Sequence, residues 1–299
     1  KFPPHTALSF LLAYRNSNRE HASLAGEMAV HTLNQMARGG IHDQVAGGFH
    51  RYSTDAGWHL PHFEKMLSDN GLLAEVYAAA GFGQTSDRIV RWTLAEMQQG
   101  SLFSAALDAD TDGEEGLTYT WTIDELETAL GDRATLFARA FGFVAEGNFR
   151  DEATRQLTGR NILHLADGND EDWSIELEKL RKVRNKRSQP GLDDKCLLGW
   201  NGLMIAGMAR AGWLWHAQQC ADAWLEVHRA IAKWPRLVAQ GRPIGSAYLE
   251  DLAFFAWGLE ALGPNYLYQV EEILDEIERG FWDAEFGGFF NTSEHHENR

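Results

Sequence analysis

Cysteine is scarce in this sequence: Cys196 and Cys220 are the two it has among 299 residues. Two thiols that far apart make neither a disulfide framework nor a C-x-x-C redox pair, and both sit in apolar helical context, so buried free thiols are expected. Positive charge is also short, with 27 Lys and Arg against 43 Asp and Glu and a formal net charge of −16. Nucleic acid and anionic membrane surfaces require a positive face. The one basic run, Lys179-Arg181-Lys182-Arg184-Lys186-Arg187, reads as the solvated face of a charged helix. Neither nucleic acid nor a membrane is therefore expected as a partner. No stretch of about 18 apolar residues is present, so no membrane span is expected. Phosphate loops and G-x-S-x-G nucleophile turns are missing as well, and no metal or cofactor is expected. The sequence opens Lys1-Phe2-Pro3-Pro4 without an initiator Met. Any targeting segment is thus unreadable, and a cytoplasmic setting is the favoured expectation. Nothing in the middle reads as a linker, which points to one domain over 1–299.

What the sequence has in abundance is helical periodicity. Apolar residues recur at helical spacing over 6–15, 21–36, 64–80, 86–98, 133–140, 172–187, 201–215, 221–239, 249–262 and 266–279. Thr122 followed by Glu125 is a capping box, in which hydroxyl and carboxylate satisfy the first free amides of a further helix that stops near Gly131. The fold class expected is all-α.

Between alternate helices lie segments rich in Gly, aromatic and acidic residues, and two of them match. Asp43, three residues, then Gly47-Gly48-Phe49 is repeated as Asp283, three residues, then Gly287-Gly288-Phe289. Each follows an amphipathic helix, as in an internal repeat, and the diglycine predicts a tight turn. Helical hairpins joined this way predict a solenoid or a closed α/α toroid whose alternate loops share one rim. The rim segments are 41–63, 100–121, 189–200, 240–250 and 281–293, and 142–170 reads as an insertion.

The rim also carries a family resemblance. Gly47-Gly48-Phe49-His50-Arg51-Tyr52-Ser53-Thr54-Asp55 with Pro61-His62-Phe63-Glu64-Lys65-Met66-Leu67 resembles the spermatogenesis-associated thioredoxin-like protein family. So do Asp108-Ala109-Asp110, Gly159-Arg160-Asn161-Ile162-Leu163-His164, Asp193-Asp194-Lys195 with Trp200-Asn201-Gly202-Leu203, and Tyr248-Leu249-Glu250-Asp251. The resemblance implies an α/α toroid like that of six-hairpin glycosidases and sugar epimerases. The thioredoxin-like domain that the family joins to it, with its paired cysteines, is absent from this chain. Relative to the family, the chain is expected to be truncated at both ends.

Candidate functional residues cluster on the rim. His50, His62, Glu64, Glu250 and Asp251 are the candidate catalytic groups, since imidazoles titrate near neutrality and carboxylates orient them or act as acid and base. Glu64, His62, Glu250 and Asp251 each lie where a rim segment enters a helix, so they are expected to converge on one mouth. Arg51, Tyr52, Asp193, Asp194, Trp200, Asn201 and Tyr248 are candidate substrate contacts, suited to stacking on a sugar and hydrogen-bonding it. The bland alternative for Asp251, Trp200 and Asn201 is a packed, capped helix start. Asp108-Ala109-Asp110-Thr111-Asp112-Gly113 has the alternation of a calcium loop. Its twelfth position is Tyr119 rather than a bidentate Glu, so an acidic turn is expected.

Two functions follow. One is a carbohydrate-active enzyme with a sugar ligand at the mouth, either hydrolysing a glycoside with two carboxylates or epimerising a sugar with His50 and His62 as bases. The other is a non-catalytic scaffold or binding module serving a thioredoxin-like domain. A deep pocket holding several of the candidate groups favours the first.

Overall fold

A computed structural model of the chain describes residues 1–150, 156–166 and 171–293. They contain eleven α-helices: α1 (His5–Arg15), α2 (Ala22–Arg38), α3 (Leu67–Ala80), α4 (Gly83–Glu96), α5 (Ile123–Leu130), α6 (Ala134–Ala140), α7 (Ser174–Arg184), α8 (Leu198–Arg210), α9 (Leu214–Ile231), α10 (Leu249–Ala261) and α11 (Leu267–Phe281). Strands are two or three residues long, and no sheet among the described residues exceeds three strands. The all-α class read from the periodicity holds. No described helix is long and apolar enough to cross a membrane. The chain divides into two compact units, each assembled from two separated stretches: residues 1–66 with 107–191, and residues 67–106 with 192–299.

In the first unit, α1 and α2 form a hairpin. The inward stripe of α2 is Ala25, Ala29, Leu33 and Met36, spaced by one helical turn so that all four face the core. The capping box predicted at Thr122 is formed: Thr122 Oγ1 accepts from the Glu125 amide, and Glu125 Oε2 accepts from the Thr122 amide. The core around α5 and α6 is aromatic, with Phe137 stacked on Phe141 at 4.3 Å and Trp173 edge-on to both. The stretch read as an insertion is woven into this unit where it is described, while 151–155 and 167–170 lie outside the described residues. The Asn161 amide is buried and accepts from the backbones of Val144 and Asn148, and Asn161 bridges Trp121 through the backbone.

The second unit is built from the pairs α3–α4, α8–α9 and α10–α11, with α8 packed against both α3 and α10. Glycine sets these approaches. A Cβ on Gly202 of α8 would stand 2.4 Å from the Phe254 carbonyl oxygen of α10, and one on Gly207 would stand 2.4 Å from the Gly71 carbonyl oxygen of α3. The helix backbones are in contact, and only hydrogen fits between them.

Two expectations about helix bounds need correction. The helix read over 221–239 begins at Leu214 and ends at Ile231, after which Leu237–Ala239 is a strand. Pro235 lacks an amide proton and biases the residue before it away from helix, so the apolar periodicity beyond it belongs to extended chain. The helix read over 64–80 begins only at Leu67, and His62 and Lys65 lie on two-residue strands before it.

Candidate functional site

The site grows out of residues 39–66 in the first unit. Leaving α2, the chain folds back at Asp43, whose Oδ1 accepts from the Val45 and Ala46 amides, while Gly47 and Gly48 take positive φ of 90° and 73°. Tyr52–Ser53 then pairs antiparallel with Pro61–His62. The intervening loop is organised by Asp55, which accepts from the hydroxyl of Ser53 and the amides of Gly57, His59 and Leu60. Burial works against that carboxylate's charge, but these four donors outweigh it and lower its pKa.

After Pro61 the chain alternates faces, as extended chain must. Phe63 and Lys65 are buried, while His62 and Glu64 are each about one quarter exposed, at 25% and 24%. The outward pair forms a compact polar group. Glu64 Oε2 accepts from Arg51 Nη1 at 2.7 Å and lies 3.9 Å from His62 Nε2. His62 Nδ1 is 2.7 Å from Glu115 Oε1, and the Tyr52 ring stacks on the imidazole at 4.8 Å. Glu115 comes from the hairpin Asp110–Thr111/Glu114–Glu115, closed by Asp112 and Gly113 at φ of 54° and 82°. Positive φ at both central residues is the type I′ signature, for which Asp-Gly is a preferred pair. The run with calcium-like spacing is thus an acidic hairpin turn.

The inward face is ionic too. Asp43 Oδ2 accepts from Lys65 Nζ at 2.8 Å and from Arg184 Nη1 at 2.7 Å, and all three side chains are buried. Burial opposes the Asp43 charge, but Arg184 and then Lys65 hold its pKa well below the usual carboxylate range. This corrects the expectation that the basic run is wholly solvated. Arg184 is buried on Asp43, and Arg187 lies 3.8 Å over the Trp121 ring while pairing with Glu125.

His50 belongs to this inner layer. Its Nδ1 donates to the Phe63 carbonyl at 2.8 Å, and its ring meets Phe63 and Tyr119 edge-on. Burial, reinforced by Lys65, pushes its pKa down to about 3. An imidazole so placed is neutral and enclosed, which corrects the expectation that His50 acts with His62 as the second base on a sugar. A small cavity beside Asp43 is lined by His42, Gln44, His50, Phe63 and Tyr119.

Of the residues singled out in the sequence, His62, Glu64, Arg51 and Tyr52 come together in the first unit, with His50 beneath them. Glu115 is the site member that residue type and spacing do not single out. The Asp112-Gly113 turn announces its hairpin, but nothing local points that hairpin at His62. The remaining candidates belong to the second unit. Asp251 is the capping carboxylate of α10, accepting from the Tyr248 amide at 2.9 Å, and burial raises its pKa. Glu250 is exposed beside it, and Tyr248 carries Arg236 at 3.9 Å over its ring. Asp193 pairs with Lys195, Asp194 is exposed and Trp200 is half-buried. Asn201 is fully buried. Its amide accepts from the Phe103 N–H and donates to the carbonyls of Phe103 and Leu197, each at 2.9 Å, so the expectation that it contacts substrate is corrected to that of a structural pin. Cys196 and Cys220 are buried free thiols, as expected.

Comparison with known proteins places the chain. No family model matches it. A sugar epimerase from a ruminal bacterium is similar in structure at a TM-score of 0.38 and 10% identity, over 96% of this chain and 77% of that one. Spermatogenesis-associated protein 20 of Rattus norvegicus is 32% identical over 97% of this chain and 45% of its own length. The Homo sapiens protein of that name is 30% identical over the same shares. The rat alignment runs to 358 positions, more than the 299 residues here, so the relative carries insertions. The rim motifs and the alignments agree: this chain is a homologue of the proteins named spermatogenesis-associated protein 20, spanning about half the length of the curated relatives it matches.

Proposed function

We propose that the chain is the carbohydrate-active part of its protein, and that it catalyses proton transfer on an open-chain sugar, as in epimerisation or isomerisation. The substrate class rests on the family resemblance, whose toroid is like that of six-hairpin glycosidases and sugar epimerases. The chemistry rests on one observation: His62, accessible and stacked on Tyr52, presents Nε2 3.9 Å from the Glu64 carboxylate. Two proton-accepting atoms converge there on one accessible spot. An acidic carbon next to a sugar carbonyl would yield its proton to Nε2, leaving the electron pair shared with the carbonyl oxygen. Return of the proton to the same carbon on its opposite face gives the epimer. Return to the former carbonyl carbon, with the neighbouring hydroxyl proton passing to the carbonyl oxygen, gives the isomer; neither needs an oxidant or second substrate. Arg51, held on Glu64 through one nitrogen, has further donors for sugar hydroxyls.

Incubating the protein with reducing mono- and disaccharides in deuterated water tests the proposal. Deuterium should enter the sugar at the carbon beside the carbonyl, and His62→Gln should abolish the exchange. Absence of exchange with every sugar would favour the scaffold role instead.

A further inference from the structure

We infer that Glu115 is a positioning residue that fixes the tautomer of His62, making Nε2 the base; this rests on the proton-transfer reading above. A carboxylate can only accept, so the 2.7 Å contact between Glu115 Oε1 and His62 Nδ1 requires the proton to be on Nδ1. The neutral ring then carries its lone pair on Nε2, the atom beside Glu64. The same Glu115 oxygen accepts from the Phe63 amide at 3.3 Å, so one atom fixes both the ring and the backbone that bears it. Without Glu115 the hold on the Nδ1 proton is lost, and the negative Glu64 carboxylate, 3.9 Å from Nε2, would favour the proton on that side of the ring. That tautomer presents no lone pair to a substrate. The hairpin therefore selects between a competent and an incompetent histidine. The two carboxylates have separate tasks: Glu115 holds the resting proton, and Glu64 faces the transferred one. When Nε2 takes a proton from the substrate, the resulting imidazolium lies between both.

Nitrogen-15 spectra of the imidazoles in the full chain test this without any substrate, with the His62 signals assigned by their loss in His62→Gln. In the wild type, neutral His62 should be the Nδ1–H tautomer. Glu115→Ala should shift it toward Nε2–H, and Glu115→Gln, whose amide oxygen still accepts, should restore Nδ1–H. Circular dichroism and amide spectra serve to show that both variants are folded. A wild-type ring protonated on Nε2, or a tautomer indifferent to Glu115→Ala, would overturn the inference. If sugar exchange is found, kcat should fall on the order of a hundredfold in Glu115→Ala with KM little changed. If no sugar exchanges, the catalytic reading fails while the tautomer result still decides the role of Glu115.

Discussion

Asp43 and Asp283 make the same turn near opposite ends of the chain. Each accepts on Oδ1 from the amides two and three residues on, Val45 and Ala46 in one case and Glu285 and Phe286 in the other. Each donates its own amide to the second glycine of the diglycine, Gly48 or Gly288, and accepts on its backbone carbonyl from the first. A single backbone bridge closes each turn, His42 to Phe49 and Trp282 to Phe289. The surroundings differ. Phe49 is fully buried and Asp43 holds two buried cations, whereas Phe289 is 52% exposed.

That contrast predicts unequal costs for one substitution. Asp43→Ala strands Lys65 and Arg184 in the interior and should destabilise by roughly 3–5 kcal/mol, the cost of breaking a buried ion pair on one side. Asp283→Ala removes the same two amide contacts at the surface and should cost about 1 kcal/mol. Urea unfolding of the two variants compares them, and equal losses would show that the cations add nothing to Asp43.

The depressed pKa of His50 makes an acid-side prediction. Folded, the ring resists protonation down to about pH 3, while in the unfolded chain it titrates near 6.5. Below about pH 6.5 the unfolded state therefore binds the proton first, and this contribution to stability declines as pH falls toward 3, by at most about 1.4 kcal/mol per pH unit. Asp43, lowered in its turn, withdraws its share only at around pH 4 and below. His50→Asn should flatten the decline between pH 6.5 and 4.5, as read from unfolding midpoints at several pH values. A parallel decline in variant and wild type would locate the acid sensitivity elsewhere.

Backbone contact between α8 and α10 is tested by Gly202→Ala. The added methyl would face the Phe254 carbonyl, which belongs to a helix and has little room to yield. A loss of about 1–3 kcal/mol is expected, as for other overpacked interiors. Gly83→Ala at the start of α4 is the control, since its Cβ would meet nothing within 4 Å. It should be neutral or stabilise by up to about 1 kcal/mol. Thermal melts showing both variants alike would refute the close approach.

Local chemistry is legible in the order of the residues alone. The helices follow from apolar spacing, the Thr122 cap from a hydroxyl and a carboxylate three residues apart, and the Asp-diglycine turns from side chains that bond amides two or three positions away. His62, Glu64, Arg51 and Tyr52 stand out because their residue types suit acid–base and sugar chemistry and lie on one segment. Long-range partnership is hidden. Glu115 reaches His62 from a hairpin outside its segment, and Arg184 reaches Asp43 from a helix whose charges look solvated. Lys65 lies inward on an extended stretch where polarity would place it outward, because Asp43 and Gly47 supply the acceptors that make its burial tolerable. Asn201 has the residue type of a ligand contact, and only packing shows its amide joined to the Phe103 backbone. Residue type and short spacing settle which groups can do chemistry. Whether such a group faces solvent or a buried partner depends on segments that meet only when the chain folds.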